Sequence, residues 1–444
     1  MLIKLDGLIV VDYLEKLIKG RAEGKREGIY SCCSANRDVL CAALLRAKQA
    51  KTVLLVEATA NQVNQFGGYT GMTPKGFSDF VHRLANECDF PVEMLILGGD
   101  HLGPLVWSNE PENVAMEKAE VLVRQFVAAG YQKIHLDTSM RLSSDDPEKP
   151  LDITVCAERG ARLCEACEQE YEVVKANNSA AKKPVYVIGS EVPIPGGETG
   201  DSPSDNITTA DSYFATLEAY KNVFREYGLE DSFNRIAAIV VEMGVEFSEF
   251  TVSDYSRRRF ESLSCAAKDS AIGFEAHSTD YQTSFSLREM VEDGAMFLKV
   301  GPALTFAVRS ALFKLELIEK EIVPMEQRSN FRQVLEEVMV LNPVNWQKYY
   351  KGTMDDMAFA RAFSFSDRCR YYLSDRSVIE ARERLISNLD NRGIPLCLVD
   401  EYFRKQYLRI RNGSLQASAQ SILHDYIGDT IDDYLMATIS RDAR

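Results

Sequence analysis

At three places in this chain an apolar run breaks off into a histidine and a carboxylate. These are Asp100 and His101 in "LILGGDHLGP", His135 and Asp137 in "KIHLDTSM", and Glu275 and His277 in "FEAHSTD". Three of the five histidines are used in this way. An imidazole beside a carboxylate can be oriented by it, can move a proton near neutral pH, or can share a divalent metal with it. Mixed imidazole and carboxylate ligands suit zinc, manganese or cobalt. A metal so held polarises a carbonyl oxygen, which is the chemistry of aldol cleavage and of ketose epimerisation. On this reading Asp100 and Glu191, the latter in "VIGSEVP", are the candidate proton-transfer groups. His101, His277 and Glu275 are the candidate metal ligands. His135 and Asp137 are two residues apart, so a strand points both the same way. Asp137 is also a candidate substrate contact, as is Lys299 in "FLKVGPA". Lys299 has two further readings, as a Schiff-base lysine or as an ion-pair partner. The bland alternative for Glu57 and Glu275 is a buried ion pair with a barrel lysine or arginine. His82 and His424 lie in helical stretches and read as structural.

Groups that could hold a sugar phosphate occur elsewhere. Asn61, Gln62, Asn64 and Gln65 in "NQVNQFGGYTGMTP" are polar groups suited to sugar hydroxyls. Gly301, in "KVGPALTF", stands where a helix begins and backbone amides can meet a phosphate. "FSFSDRCRYY" brings Ser366, Arg368 and Arg370 together, and arginine forks take phosphate oxygens in pairs. The alternative for this cluster is a capped helix start whose arginines lock the tail onto the rest of the chain.

These side chains need elements that aim them. From residue 28 to about 305 a short β-rich run repeatedly gives way to a helical segment. The runs are 28–35, 52–59, 93–101, 133–140, 185–193, 236–244, 271–280 and 295–303. They are nearly continuous apolar stretches, as parallel strands buried on both faces require. Helical spacing between them is clear in "PENVAMEKAEVLVRQFVAAG", with Pro111 at the start and Gly130 at the end. Eight such alternations predict a (β/α)8 TIM barrel over 28–310. No GxGxxG follows the first strand, so a dinucleotide site has no support. Residues 1–27 form an N-terminal extension with a helix, and 311–444 an α-helical C-terminal region packed on the barrel. That region could close the barrel, form a lid or make a subunit contact. In a barrel the strands' C-terminal ends face the active site. The Gly/Pro/Ser-rich stretch 193–211 follows the fifth strand and reads as an active-site loop.

With 444 residues, 45% of them hydrophobic, the chain can bury a large core. Its net charge of −15 opposes nucleic acid or anionic membrane as the main partner. No apolar run approaches the ~20 residues of a membrane span, and the N-terminus does not read as a signal peptide. Ten scattered cysteines suggest reduced thiols in a cytoplasm. Cys164 and Cys167 form a CxxC within a helical stretch, where packing is the simpler reading.

The runs "EATANQVNQFGGYTGMTP", "ILGGDHLGP", "KIHLDTSM", "VIGSEVPIPGG", "FEAHSTDYQT", "LKVGPALTFA" and "SDRCRYY" resemble the D-tagatose-1,6-bisphosphate aldolase Z-type subunit family. The likeness covers nearly the whole chain. It implies a TIM barrel related to class II aldolases, acting as an accessory subunit in galactitol or N-acetylgalactosamine (tagatose 6-phosphate) catabolism. Such a subunit supports the activity and stability of a separate catalytic class II aldolase subunit. Homo-oligomerisation is compatible with it. The alternative is an enzyme active on its own, a metal-dependent ketohexose-phosphate 4-epimerase or an aldolase-like enzyme. No GxxxxGKS/T or kinase glycine loop is present, so a kinase is not expected. The class II aldolase pattern uses three zinc histidines. It places Asp100 as the proton-transfer acid, His101 as the first ligand and His277 as the last. The middle histidine should end the sixth strand, but Glu242 or Glu246 occupies that neighbourhood. By that pattern the triad is incomplete.

Overall fold

The structure is a computed structural model and describes residues 4–5, 8–9, 12–149, 151–192 and 206–439. All eight apolar runs form strands. They are β1 (Ile29–Cys32), β2 (Leu54–Thr59), β3 (Leu95–Leu102), β4 (Lys133–Leu136), β5 (Val185–Ile188), β6 (Ile236–Val241), β7 (Gly273–Ala276) and β8 (Ala295–Val300). Every strand is parallel to its neighbours, and β8 pairs with β1 to close the barrel. The strands are buried along their whole lengths apart from Thr59, which explains why they read as unbroken apolar runs rather than alternating ones.

Helices follow the strands in turn. They are preceded by α1 (Tyr13–Ala22) and comprise α2 (Arg37–Gln49), α3 (Pro74–Glu87), α4 (Glu112–Ala128), α5 (Ile153–Asn177), α6 (Ala210–Glu226), α7 (Arg257–Ala266), α8 (Ser284–Glu292) and α9 (Pro302–Ile322). Most start on a side-chain cap, such as Asn36, Thr73 or Thr209, whose oxygen accepts an otherwise orphaned amide. Leu14 and Leu17 of α1 pack into the same apolar cluster as Ile29, Leu55, Ile96 and Phe297. The N-terminal helix therefore plugs the end of the barrel opposite the strand C-termini.

The tail is helical, as its amphipathic spacing predicts. It comprises α10 (Phe331–Leu341), α11 (Met354–Phe363), α12 (Arg376–Arg392), α13 (Leu396–Tyr402), α14 (Arg404–Arg411) and α15 (Ala419–Thr438). Its last helix, α15, packs between α8 and α2, against α9 and β1. Buried charge fixes it there. Arg46 of α2 reaches Asp425 at 2.9 Å, and Gly428 leaves the room that this guanidinium needs. Asp38 of α2 receives Arg382 at 2.9 Å and His424 at 3.1 Å, which gives His424 the structural role its position suggested. Cys164 and Cys167 are buried in α5, and all ten cysteines are free.

Candidate active site at the barrel mouth

In a regular strand neighbouring side chains point to opposite faces. Asp100 and His101 both enter the same cavity because β3 is bulged. Its register against β4 runs Gly98↔Lys133 and Gly99↔Ile134, then jumps to Leu102↔Leu136, so β3 carries one extra residue. His101 takes the left-handed conformation, φ +46°, to make the turn. The two preceding glycines serve space rather than flexibility. A Cβ at Gly98 would stand 2.8 Å from Glu57 Cγ, and one at Gly99 2.4 Å from Leu102 Cδ1.

The layer below the mouth is a buried charge network. Lys133 Nζ lies 2.9 Å from Glu57 Oε1 and 2.5 Å from Glu275 Oε2, and 4.8 Å from the centre of the Phe297 ring. Lys299 Nζ contacts Glu57, and it lies 2.9 Å from Asp100 Oδ1 and 3.7 Å from Glu275 Oε1. Ser31 donates to Glu57 at 2.7 Å. Burial alone would favour neutral carboxyls. At Asp100 the charges of Lys299 and His101 outweigh it, and at Glu275 those of Lys133 and Lys299 do, so both are held well below the usual range. Burial lowers the Lys299 ammonium, but Asp100 and the neighbouring acids raise it well above its ordinary value. A lysine held this way keeps its proton, the opposite of what a Schiff-base lysine needs.

Three imidazoles cluster above this layer, with ring centres 4.8–5.4 Å apart. His101 Nδ1 lies 2.7 Å from Asp137 Oδ2. Burial lowers the His101 pKa, but Asp100 and Asp137 more than offset this and leave it raised. His277 Nε2 lies 3.0 Å from Glu275 Oε1, yet burial pulls its pKa down to about 4. His135 Nδ1 lies 3.0 Å from Asp100 Oδ1, while its buried Nε2 has no hydrogen-bond partner. Sequence reasoning leaves His135 out of the metal set. The signal that finds it is its spacing from Lys133, two residues along the same face of β4.

Asp100, His135, Glu275 and His277 each offer a ligand atom, all within 4.8 Å of one another. Two imidazoles and two carboxylates fit zinc, manganese or cobalt, and the orphaned His135 nitrogen is a buried polar atom in want of a partner. The structure thus keeps His277 and Glu275 in the candidate metal set. Asp100 and His135 join them, while Asp137 holds His101 by Nδ1, as an orienting carboxylate does for a ligand imidazole. β6 supplies no imidazole, but β4 does. Near β6, Glu246 accepts from Ser278 Oγ at 2.9 Å.

The cavity above holds about 130 Å³ and is lined by Asn61, Gln62, Tyr69, Lys299, Arg370 and Tyr371 together with Asp100, His101 and His277. Other candidates point elsewhere. Asn64 ties its own loop, donating to Ala60 O at 2.9 Å and accepting from Phe66 and Gly68. Gln65 donates to Lys118 O. Asp137 orients His101 and accepts from Ser139. Glu191 is exposed and accepts from Thr208 at 2.9 Å and Ser212 at 2.5 Å. Most of the expected loop after it, 193–205, lies outside the described residues. Gly301 does line the cavity, but its amide is spent on Asp280 Oδ1 at 3.0 Å. Ser366 is buried against Ser364 and Tyr350.

A family model described as D-tagatose-1,6-bisphosphate aldolase subunit GatZ/KbaZ-like matches residues 14–439. Among solved structures, a probable tagatose 6 phosphate kinase from Sinorhizobium meliloti 1021 is similar at 40% identity and a TM-score of 0.84, over 92% of this chain and 100% of that one. The YdjI aldolase from Escherichia coli K12 matches at 11% identity and a TM-score of 0.42, over 86% of this chain and 98% of that one. A fructose-bisphosphate aldolase (Fba) from Campylobacter jejuni matches at 16% and 0.45, over 85% and 92%.

Proposed function

The chain belongs to the D-tagatose-1,6-bisphosphate aldolase subunit GatZ/KbaZ-like family, and from that premise we propose that its own barrel mouth binds a ketohexose phosphate and performs aldol-type chemistry on it, as a 4-epimerase or aldolase. One observation carries the reading. Asp100, His135, Glu275 and His277 converge as a buried donor set beside Lys299 and the His101–Asp137 pair, and of these Asp100, His101, His277 and Lys299 line one cavity. A divalent ion held by His135, Glu275 and His277 of that set would polarise the ketose carbonyl. Asp100, kept ionised by Lys299 and His101, takes the proton from the C4 hydroxyl. The C3–C4 bond breaks, its electron pair moves toward the carbonyl oxygen, and C4 becomes an aldehyde. His101, protonated and aimed by Asp137, neutralises that oxygen. Reversal on the same face restores the sugar. Addition to the other face, with the proton returned from Asp100, gives the C4 epimer. All ten cysteines are free, which supports a reducing, cytoplasmic setting.

A second reading is supported by β6, which ends without the metal histidine of the resembling aldolases. On it the chain is an accessory subunit that sustains a separate catalytic class II aldolase subunit in galactitol or N-acetylgalactosamine catabolism. Leu341, Val344 and Met354 are largely exposed on the helical tail, which supports a subunit contact there.

The two separate in one assay. The purified chain, supplied in turn with Zn, Mn or Co, is incubated with D-tagatose 6-phosphate and with D-tagatose 1,6-bisphosphate, and fructose phosphates and trioses are measured. Turnover that disappears in His101→Ala supports the first reading. No turnover with any metal, together with rescue of a catalytic partner, overturns it and leaves the second.

A further inference from the structure

The N-terminus of the helix after the last barrel strand is where a barrel commonly seats a phosphate. Here that place already holds an anion. Asp280 Oδ1 accepts from the Gly301 amide at 3.0 Å and the Ala303 amide at 2.8 Å, at the start of α9. A phosphoryl group entering the cavity must find its cations elsewhere.

Arg370 supplies one. It lines the cavity, it comes from the C-terminal region rather than the barrel, and its guanidinium forms no ion pair with a carboxylate of the described residues. Its Nη1 donates to the Ser366 and Asp367 carbonyls, and its Nη2 to Tyr371 Oη at 3.0 Å. Arg368, two residues earlier, is 4% exposed, stacks on the Tyr349 ring and leaves Nε with no partner. Neighbouring buried arginines differ: Arg309 holds Asp367 and Arg361 holds Glu336. A buried Arg368 behind a half-buried Arg370 on the wall of a polar cavity, neither paired with a carboxylate of the described residues, is costly unless an anion completes the pair. The Tyr69 and Tyr371 rings meet edge to face at 5.0 Å and wall the same corner.

Resting on the ketohexose-phosphate reading above, we propose that Arg370, backed by Arg368 and walled by Tyr69 and Tyr371, is the subsite that takes the substrate's phosphoryl group. The helical tail is then part of the substrate site. It fixes which end of the sugar meets Asp100 and selects phosphorylated ketoses over free ones.

The test is binding, which needs no turnover. Calorimetric titration of the full-length chain compares D-tagatose 6-phosphate with unphosphorylated D-tagatose. The phosphorylated sugar is expected to bind about 10- to 100-fold more tightly, as charge-assisted bidentate contacts allow. Arg370→Ala should abolish that ratio without changing affinity for the free sugar, and Arg370→Lys should restore part of it. Matching circular dichroism and urea unfolding midpoints for the wild type and both Arg370 variants guard against a folding defect. A ratio that persists in folded Arg370→Ala overturns the subsite even if the enzyme turns over. An Arg370-dependent ratio in a chain that never turns over sustains the subsite while the catalytic reading falls. Equal affinity for both sugars in the wild type overturns it outright.

Discussion

Asp280 offers the sharpest test of the electrostatics at the mouth. It is buried, and its carboxylate caps α9 through the Gly301 and Ala303 amides. Burial raises its pKa from 3.8 to about 6, although both amides and Arg370 pull the other way. The folded chain therefore binds this proton more tightly than the unfolded chain does. As pH rises from 3.8 towards 6 the unfolded chain ionises first, so stability is lost across that interval, and the loss is complete above about 6. At ~1.4 kcal/mol per pH unit it amounts to ~3 kcal/mol. Asp280→Asn keeps an acceptor oxygen and nearly the same shape but carries no charge. It should be more stable than the wild type by ~1 kcal/mol at about pH 4.5 and by ~3 kcal/mol at about pH 7.5. Urea unfolding midpoints of the two proteins, measured across that range, give the difference directly. A gap that does not change with pH, or a variant less stable at every pH, would refute the reasoning. Either result would mean that Asp280 is ionised at little cost.

Gly98→Ala forces a Cβ to within 2.8 Å of Glu57 Cγ and should cost about 1–3 kcal/mol in denaturant unfolding, with lost activity because Glu57 anchors Lys299. Lys133→Met leaves Glu57 and Glu275 short of a buried cation, and a loss of about 3–5 kcal/mol is expected in the same measurement. In the catalytic reading, His135→Ala should lower metal retained after dialysis, read by mass spectrometry, with affinity falling at least ~10-fold. His82→Ala, far from the donor set and bonded to Ser78 of its own helix, should leave metal content unchanged.

The barrel was legible because both faces of each strand are buried. Eight apolar runs then stand out against the amphipathic helices, and their ends mark the mouth. Asp100, His101, Glu275 and His277 were accordingly readable as neighbours. What the runs do not encode is the bulge. Without the extra residue in β3, Asp100 and His101 would point to opposite faces, and nothing in "GGDH" announces the register jump. Lys133 reads as an ordinary strand start, yet it lies at the centre of the charge network, because only the closed barrel brings β2, β4 and β7 round one ammonium. Glu191 illustrates the converse. It sits at a strand end, but local hydroxyls at Thr208 and Ser212 capture its carboxylate before it can turn inward. The position of α15 was equally hidden: amphipathic spacing marks a helix, while its place between α8 and α2 depends on Arg46 and Asp38, nearly 400 residues earlier in the chain.

The barrel interior changes character along its axis, and that change bears on function. Near the strand N-termini it is apolar: Ile29, Leu55, Ile96 and Phe297 pack with α1. Above them β2, β3, β7 and β8 carry Glu57, Asp100, Glu275 and Lys299, and β4 opens with Lys133, all buried. Packing does not require this. A buried ion pair is often matched or bettered in stability by apolar residues of similar volume, and the lower half of this barrel shows that such residues fit its circumference. The charged layer also fails to satisfy itself. Among the described residues His135 Nε2 is left without a partner, and Arg370 on the cavity wall pairs with no carboxylate. A network built only to hold the fold gains from closing on itself. Here Asp100, His101, His277, Lys299 and Arg370 line one cavity, an arrangement suited to a ligand that enters it. It is the ground for the proposal that the barrel mouth has chemistry of its own.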